Sequence, residues 1–85
     1  MDAHLKELHM IATETLTKKQ MRVLQFIARY IAEKKYPPAI RDIQSFMSIS
    51  SPNGVICHLN ALVKKGWIRR EPLTSRGIVI LRELP

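Results

Sequence analysis

The sequence of 85 residues contains a single cysteine, Cys57, and only seven acidic residues. One cysteine excludes an internal disulfide and a cysteine-rich zinc module, and it fits a reducing compartment. No stretch approaches the roughly 18 consecutive apolar residues of a membrane span. Asp2 and Glu7 interrupt the mildly apolar N-terminus, which therefore differs from a signal peptide. We expect a cytoplasmic protein with no membrane partner.

The chain also lacks the residue patterns of an enzyme or a metal site. A chain of this length buries only about 60% of its unfolded surface, which is enough for one core. There is no Gly-x-Ser-x-Gly, no glycine-rich phosphate loop and no paired-carboxylate spacing. Cys57 and His58 are adjacent on a predicted helix and point about 100° apart, so they cannot share a metal ion. We expect no enzymatic activity, no cofactor and no metal.

Positive charge is abundant by contrast. Lys and Arg number 14, and they give a formal net charge of +7 and a pI near 10.1. Hydrophobic residues make up 46% of the chain, which indicates a folded domain rather than a disordered one. A basic balance of this size predicts an anionic partner. Nucleic acid is the first candidate, ahead of anionic lipid or an acidic protein.

Three helices are predicted in the first two thirds of the chain. Thr17 and Gln20 have the spacing of a capping box, so the first helix is expected to begin at Thr17 and to end before Tyr36-Pro37-Pro38. Phe26 lies off the apolar stripe of this helix and is expected to meet the N-terminal segment. The stripe comprises Gln20, Val23, Leu24, Ile27, Tyr30 and Ile31.

The second helix is predicted over Ile40–Met47, with Ile40, Ile43, Phe46 and Met47 on its core side. Ser51 is the expected N-cap of a third helix, Pro52 takes its first position, and Gly66 ends it.

The pattern then changes from helical to alternating. β-branched runs at 67–70 and 78–81 predict two strands that flank the loop Glu71–Gly77. Pro72 and Gly77 suit a hairpin with a loop longer than two residues. The expected fold class is mainly α with a small β-hairpin, three helices followed by the hairpin.

A long neutral interval interrupts this charge-rich chain. From Ile43 to Val63 there is no Lys, Arg, Asp or Glu, although polar residues are frequent. On a wheel for the third helix, Val55, Leu59 and Leu62 cluster opposite the set of Asn53, Cys57, Asn60 and Lys64.

A neutral polar face of this kind suits the major groove of DNA, where amides bond base edges and lysine meets phosphate. A face exposed only to solvent would normally carry Lys, Glu or Asp instead. Ile56 lies at the boundary, where it could touch a thymine methyl or complete the core rim.

Basic residues flank this neutral face. Their arrangement is typical of phosphate binding, although Lys64 and Lys65 would also suit the helix dipole without a partner. Glu71 is the one acid that stands among them before Glu83. The basic set is Lys64, Lys65, Arg69, Arg70, Arg76 and Arg82.

Taken in order, these motifs resemble the N-terminal DNA-binding domain of LexA-type SOS repressors. The resemblance covers about residues 16 to 82, and it includes the wing run Thr74-Ser75-Arg76-Gly77-Ile78. It rests further on Leu16-Thr17 with Gln20, on Tyr36 to Ile43, and on Ser51-Pro52-Asn53 with His58-Leu59, Ala61-Leu62 and Lys65-Gly66. It implies a three-helix winged helix-turn-helix at 16–85, preceded by an N-terminal extension at 1–15.

The resemblance also implies a DNA site. Its family's base-reading positions fall on Ser51, Asn53, Gly54, Ile56 and Cys57, and the wheel adds Asn60. Relatives that read the best-known operator type have acidic residues at the positions of Ile56 and Cys57, so we expect a different operator. Ala39 replaces the usual Thr before the second helix, which removes a cap worth about 1 kcal/mol. The expected DNA-backbone contacts are Arg41, Lys64, Lys65, Arg69, Arg70, Ser75 and Arg76.

Repressors of this type carry a C-terminal domain with a Ser-Lys dyad, a self-cleavage site and the main dimer contacts, and this sequence ends at Pro85. We expect either a fragment or a stand-alone variant, which could form a homodimer on DNA through residues missing from this chain. Leu5, Leu8 and Ile11 suggest a short amphipathic helix in the extension, for which core docking is expected ahead of dimerisation.

Two other functions stay open at this stage. The apolar pair Ile56 and Cys57 could seat against protein, which would make the domain a winged-helix protein-interaction module or anti-repressor. Recognition of structured RNA ranks third, because most of the five aromatic side chains are expected to be buried and single-strand readers expose them in stacking pairs.

Overall fold

The computed structural model describes residues 16–71, 73–74 and 76–84. The elements follow the predicted order and confirm the mainly α fold class, with a three-helix winged helix-turn-helix arrangement. The predicted extension, with its amphipathic helix, lies outside the described residues. The elements are α1 (Lys18–Lys34), α2 (Ile40–Met47), α3 (Pro52–Lys64), β1 (Ile68–Arg70) and β2 (Ile78–Ile80).

The start of α1 is fixed by the predicted capping box. Thr17 Oγ1 accepts a hydrogen bond from the Gln20 amide at 3.0 Å, and Gln20 Oε1 accepts one from the Thr17 amide at 3.1 Å. Two amides that have no partner within the helix are thereby satisfied. The helix ends at Lys35, which adopts a left-handed conformation with φ 70° and donates its amide to Ile31 O.

The start of α2 shows how the chain tolerates Ala39 at the N-cap. Ala39 has no side-chain oxygen to cap the helix, and its side chain is buried. Asp42 Oδ2 instead accepts a hydrogen bond from the Ala39 amide at 2.9 Å. One half of the usual reciprocal cap is therefore present, supplied from the third helical position.

The three helices and the hairpin share one core. α1 packs on α2 and α3, α2 packs on α3, and the C-terminal end of α3 continues into β1. The predicted apolar stripes supply the interior, since the residues that recur at helical spacing are the ones with almost no exposed surface. The buried cluster includes Val23, Leu24, Ile27, Ile43, Val55, Leu59, Leu62, Trp67, Ile68 and Ile78.

The prediction that most aromatic side chains are buried is wrong. Of the five, Trp67 alone is buried, whereas Tyr36 is 46% and Phe46 is 38% exposed. Phe46 was predicted on the core side of α2, but it lies about 60° around that helix from Ile43 and so reaches only the rim of a narrow stripe. There it stacks on Phe26, with ring centroids 4.3 Å apart. The predicted contact of Phe26 with the N-terminal segment falls outside the described residues.

The hairpin has the register Ile68↔Ile80, Arg69↔Val79 and Arg70↔Ile78. Each strand is one residue shorter than predicted, although the Leu81 amide still donates to Trp67 O at 2.9 Å. Gly66 joins α3 to the hairpin with φ 80°, a conformation that favours glycine. Trp67 and Ile68 then enter the core, which anchors the base of the wing to the helices.

Candidate nucleic-acid interface

The outer face of α3 has the orientation that its helical spacing predicts. Val55, Leu59 and Leu62 are completely buried. The same helix exposes Asn53, Cys57, Asn60 and Lys64 on its other side. Within the described part of the chain, the side chains of Asn53, Cys57 and Asn60 have no hydrogen-bond or ion-pair partner. The donors and acceptors of both amides are therefore available to an external ligand.

Ser51 stands exposed at the start of this face. It is the N-cap of α3, with an extended backbone at φ −138°, and its side chain makes no capping hydrogen bond. Pro52 at the first helical position lacks an amide, so one of the usual unsatisfied groups is missing. The Ser51 hydroxyl is consequently not engaged in holding the helix.

Gly54 has a steric role that sequence reasoning missed. A Cβ at this position would lie 2.6 Å from Ile49 Cγ2, so the turn between α2 and α3 passes directly against the first turn of α3. Glycine allows that close approach. Ile56, further along α3, is half-buried.

Exposed cations lie on three elements of the domain. Arg41 lies on α2, Lys64 ends α3, and Arg69 lies on β1, while Arg70 is half-buried beside it. Arg69 Nη2 forms an ion pair with Glu71 Oε1 at 3.1 Å, and both side chains are at least half exposed. Arg41 also borders a shallow depression of about 350 Å³ whose remaining walls are Gln44, Ser45, Ser48 and Ile49.

Two of the predicted backbone contacts are tied to α1 within the protein. Lys65 Nζ donates to Gln20 Oε1 at 2.7 Å, at the start of that helix. Arg76 Nη1 donates to Pro37 O at 2.9 Å, and Tyr30 Oη and Asp42 Oδ2 lie 3.3 Å from the same nitrogen.

Sequence reasoning missed these ties because each partner lies between 34 and 46 positions away along the chain. Ser75, the remaining predicted contact of the wing, is outside the described residues.

The electrostatics of Asp42 and Arg76 follow from these contacts. The hydrogen bond from the Ala39 amide, helped by the positive charge of Arg76, holds the pKa of Asp42 below its ordinary value of 3.8. The hydrogen bond with Tyr30, and the charge of Asp42, raise the pKa of the Arg76 guanidinium. Both groups are therefore charged near neutral pH.

The described residues contain no group of three or more His, Cys, Asp or Glu side chains placed to hold a metal ion. No helix among them is long and apolar enough to cross a membrane.

Comparison with known proteins matches this chain to the LexA DNA binding domain over residues 13–77. The LexA repressor of Anaeromyxobacter sp. (strain Fw109-5) is 47% identical over 66 residues, which are 78% of this chain and 29% of that protein. The LexA repressor of Geobacter metallireducens is 47% identical over 68 residues, 80% of this chain and 34% of that protein.

The LexA repressor 2 of Geobacter sulfurreducens is 43% identical over 67 residues, 79% of this chain and 33% of that protein. The chain thus spans about a third of the length of the curated relatives it matches. Because the family match covers three helices and most of the wing, the chain belongs to the LexA DNA-binding domain family.

Proposed function

We propose that this chain is a sequence-specific double-stranded DNA-binding domain of a LexA-like transcriptional repressor of the SOS type. The observation that carries the proposal is the outer face of α3, whose exposed amides lack partners among the described residues and whose borders are basic. A helix with this surface fits the major groove, where each base pair presents a distinct pattern of donors and acceptors.

Base reading is assigned to the first three turns of α3. Asn53 and Asn60 can each offer one donor and one acceptor to adenine, and the Ser51 hydroxyl can do either. Ile56 and Cys57 present apolar or weakly polar atoms that fit a thymine methyl. Gly54, the remaining predicted position, contributes by letting Ile49 pack against the first turn of α3, which sets the place of Asn53 and its neighbours.

Backbone binding is assigned to the cations around this face. Arg41, Lys64, Arg69 and Arg70 provide charge on α2, α3 and β1, and Ser75 and Lys65 are assigned with them. Five or six such contacts would make the logarithm of the binding constant fall by about 4 to 5 units per tenfold increase in salt. Arg76, the seventh predicted contact, is left out of this set because its guanidinium is bonded to oxygen atoms of the protein.

The chain acts by occupying an operator on cytoplasmic DNA, and it performs no catalysis. It binds as a homodimer on an operator with two half-sites, with dimer contacts supplied by residues outside this chain.

Selection of bound sequences from a random duplex library, at near-physiological salt, tests the proposal. The selected duplex is then titrated against a scrambled duplex of equal length and composition. Because the dimer contacts are assigned to residues outside this chain, we expect a single enriched half-site, which the chain binds more tightly than scrambled DNA. An inverted repeat would establish the dimer, and a single half-site would place the dimer contacts elsewhere.

Failure to enrich any sequence would refute sequence-specific reading. A protein partner that stays bound to the chain in the presence of nuclease and high salt would instead favour the protein-interaction or anti-repressor role, because contacts with DNA phosphates weaken steeply with salt.

A further inference from the structure

Arg76 lies at the end of the wing loop and reaches away from the loop toward the helices. Its guanidinium Nη1 is within 3.3 Å of three oxygen atoms, which belong to Pro37, Tyr30 and Asp42. Its Cζ also lies 4.9 Å from the centre of the Tyr36 ring, within the range of a cation–π contact. These partners come from the end of α1, the α1–α2 connection and the first turn of α2.

The partners are also bonded to one another. The Tyr30 hydroxyl donates to Asp42 Oδ2 at 3.3 Å, and the same carboxylate oxygen accepts the Ala39 amide at 2.9 Å, where it caps α2. A single carboxylate, that of Asp42, thus joins the wing loop to the start of α2. Arg76 and Asp42 are 34% and 27% exposed, so water competes for this pair only in part.

From this geometry we infer that Arg76 is a positioning residue, which ties the wing to the α1–α2 connection so that the wing and α3 meet DNA in one fixed arrangement. The core anchors the base of the hairpin through Trp67 and Ile78, and the Arg76 tie anchors its loop. Preorganisation of this kind raises affinity because less conformational freedom is lost on binding. The effect on DNA rests on the proposed function, whereas the tie itself does not.

A positioning role for Arg76 and a direct contact of Arg76 with phosphate predict different effects of mutation. If Arg76 contacted phosphate, removing the charge of Asp42 would release Arg76, lower the local negative charge and strengthen DNA binding. If Arg76 is a tie, the same change loosens the wing and weakens binding. The two roles therefore predict opposite signs for Asp42→Asn, a variant that keeps an acceptor for the Ala39 amide.

The first experiment needs no DNA. Hydrogen exchange of the free protein is followed at the Glu71 and Thr74 amides, which bond to Gly77 O and Glu71 O across the wing loop. We expect Arg76→Gln, Asp42→Asn and Tyr30→Phe each to speed exchange there by about threefold or more, with exchange in α3 unchanged. Arg29→Gln, the loss of an exposed arginine on α1 that has no partner among the described residues, leaves those amides unaffected. Unchanged loop exchange in all three tie variants would overturn the inference, whatever the protein binds.

The second experiment titrates a duplex over a range of salt concentrations. Asp42→Asn and Tyr30→Phe are expected to weaken binding about two- to tenfold, without changing the slope of log K against log salt. Arg69→Gln lowers that slope by about 0.9, as the loss of one phosphate contact should. Tighter binding by Asp42→Asn, together with a slope lower by about 0.9 in Arg76→Gln, would assign Arg76 to phosphate. If Arg76→Gln does not fold, the Tyr30 and Asp42 variants decide alone.

Discussion

The outer face of α3 and the wing differ in whether their polar side chains have bonding partners within the protein. On α3, the side chains of Asn53, Cys57 and Asn60 are exposed and without partners among the described residues. On the wing, Arg69 is paired with Glu71, and Arg76 is held by groups from α1 and α2. One surface is open to a ligand, and the other is already bonded to its own protein.

Mutations on these two surfaces should therefore affect different properties of the protein. Side chains with no partner in the free protein can be changed without a cost in folding, so their effects should appear only when DNA is present. Side chains that bond within the protein affect folding and binding together. In the proposed function, α3 supplies the specificity, and the wing supplies positioning and charge.

The largest expected effect comes from Gly77, where the wing loop closes. A Cβ there would lie 2.5 Å from Glu71 O and 2.7 Å from Thr74 Oγ1. Because a carbonyl cannot move without displacing the loop, Gly77→Ala is expected to lower the free energy of unfolding by about 1–3 kcal/mol. Chemical denaturation measures the loss, and binding to every duplex should fall with it. Wild-type stability in this variant would contradict the tight closure of the loop.

Gly66→Ala is a useful companion, since no atom of the described residues lies within 4 Å of a Cβ at Gly66 while φ is 80°. Its cost, about 1–2 kcal/mol, would arise from backbone conformation alone.

The second prediction concerns the outer face of α3. Asn53→Ala is expected to cost about 1–3 kcal/mol on the selected operator and almost nothing on scrambled DNA, because an amide that bonds a base edge carries sequence information. The free energy of unfolding should change by less than about 0.5 kcal/mol, since Asn53 is exposed and lacks a partner among the described residues. Gln25→Ala, another exposed amide on α1, is the matched control. Equal losses on both duplexes would remove Asn53 from base reading.

Lowering the pH should decrease the stability of the folded protein through Asp42. Its pKa is lowered in the folded state, chiefly by the Ala39 amide, and is 3.8 when unperturbed. The unfolded chain therefore binds the proton more readily, so the contribution of Asp42 to stability is fully present above about pH 4 and is lost as pH falls through the lower folded value. Denaturation between pH 2 and pH 6 should show a shallower acid dependence in Asp42→Asn than in the wild type. Parallel curves would mean that the carboxylate contributes no net stability.

The smallest effect is expected at Glu71, because exposed ion pairs contribute little. The Arg69–Glu71 pair is 58% and 50% exposed, so Glu71→Gln should change the free energy of unfolding by less than about 0.5 kcal/mol. DNA affinity should rise a few-fold, since an acid beside the proposed phosphate contacts is removed. Glu33→Gln, the same change in charge on α1, is the control. An equal gain in both variants would reflect net charge rather than the release of Arg69.

Much of this architecture could be predicted from local patterns. The α2 bounds, the cap at Thr17 and the buried side of α3 follow from neighbours within four residues along the chain, and helical periodicity reports such neighbours directly. Phe46 shows the limit of the method. An apolar residue at the rim of a short helix matches the stripe, but its burial depends on how closely α1 packs, which periodicity does not contain.

The candidate site likewise has a part that the sequence predicted and a part that it did not. The lack of charge from Ile43 to Val63 and the wheel for α3 were sufficient to place Asn53, Cys57 and Asn60 on one exposed face. The same reasoning treated Arg76 as one more cation, because charge and loop position were all that the sequence offered at that point.

The sequence by itself therefore determined the element order, the core and the composition of the outer face of α3, because these depend on short-range spacing and on which residues avoid water. The tertiary structure alone decided which cations have partners. Arg76 meets Tyr30 and Asp42 only because the folded helices bring residues 34 to 46 positions apart within 3.3 Å. Hydrogen bonds depend on distance and angle in space, and these are set only when the core closes.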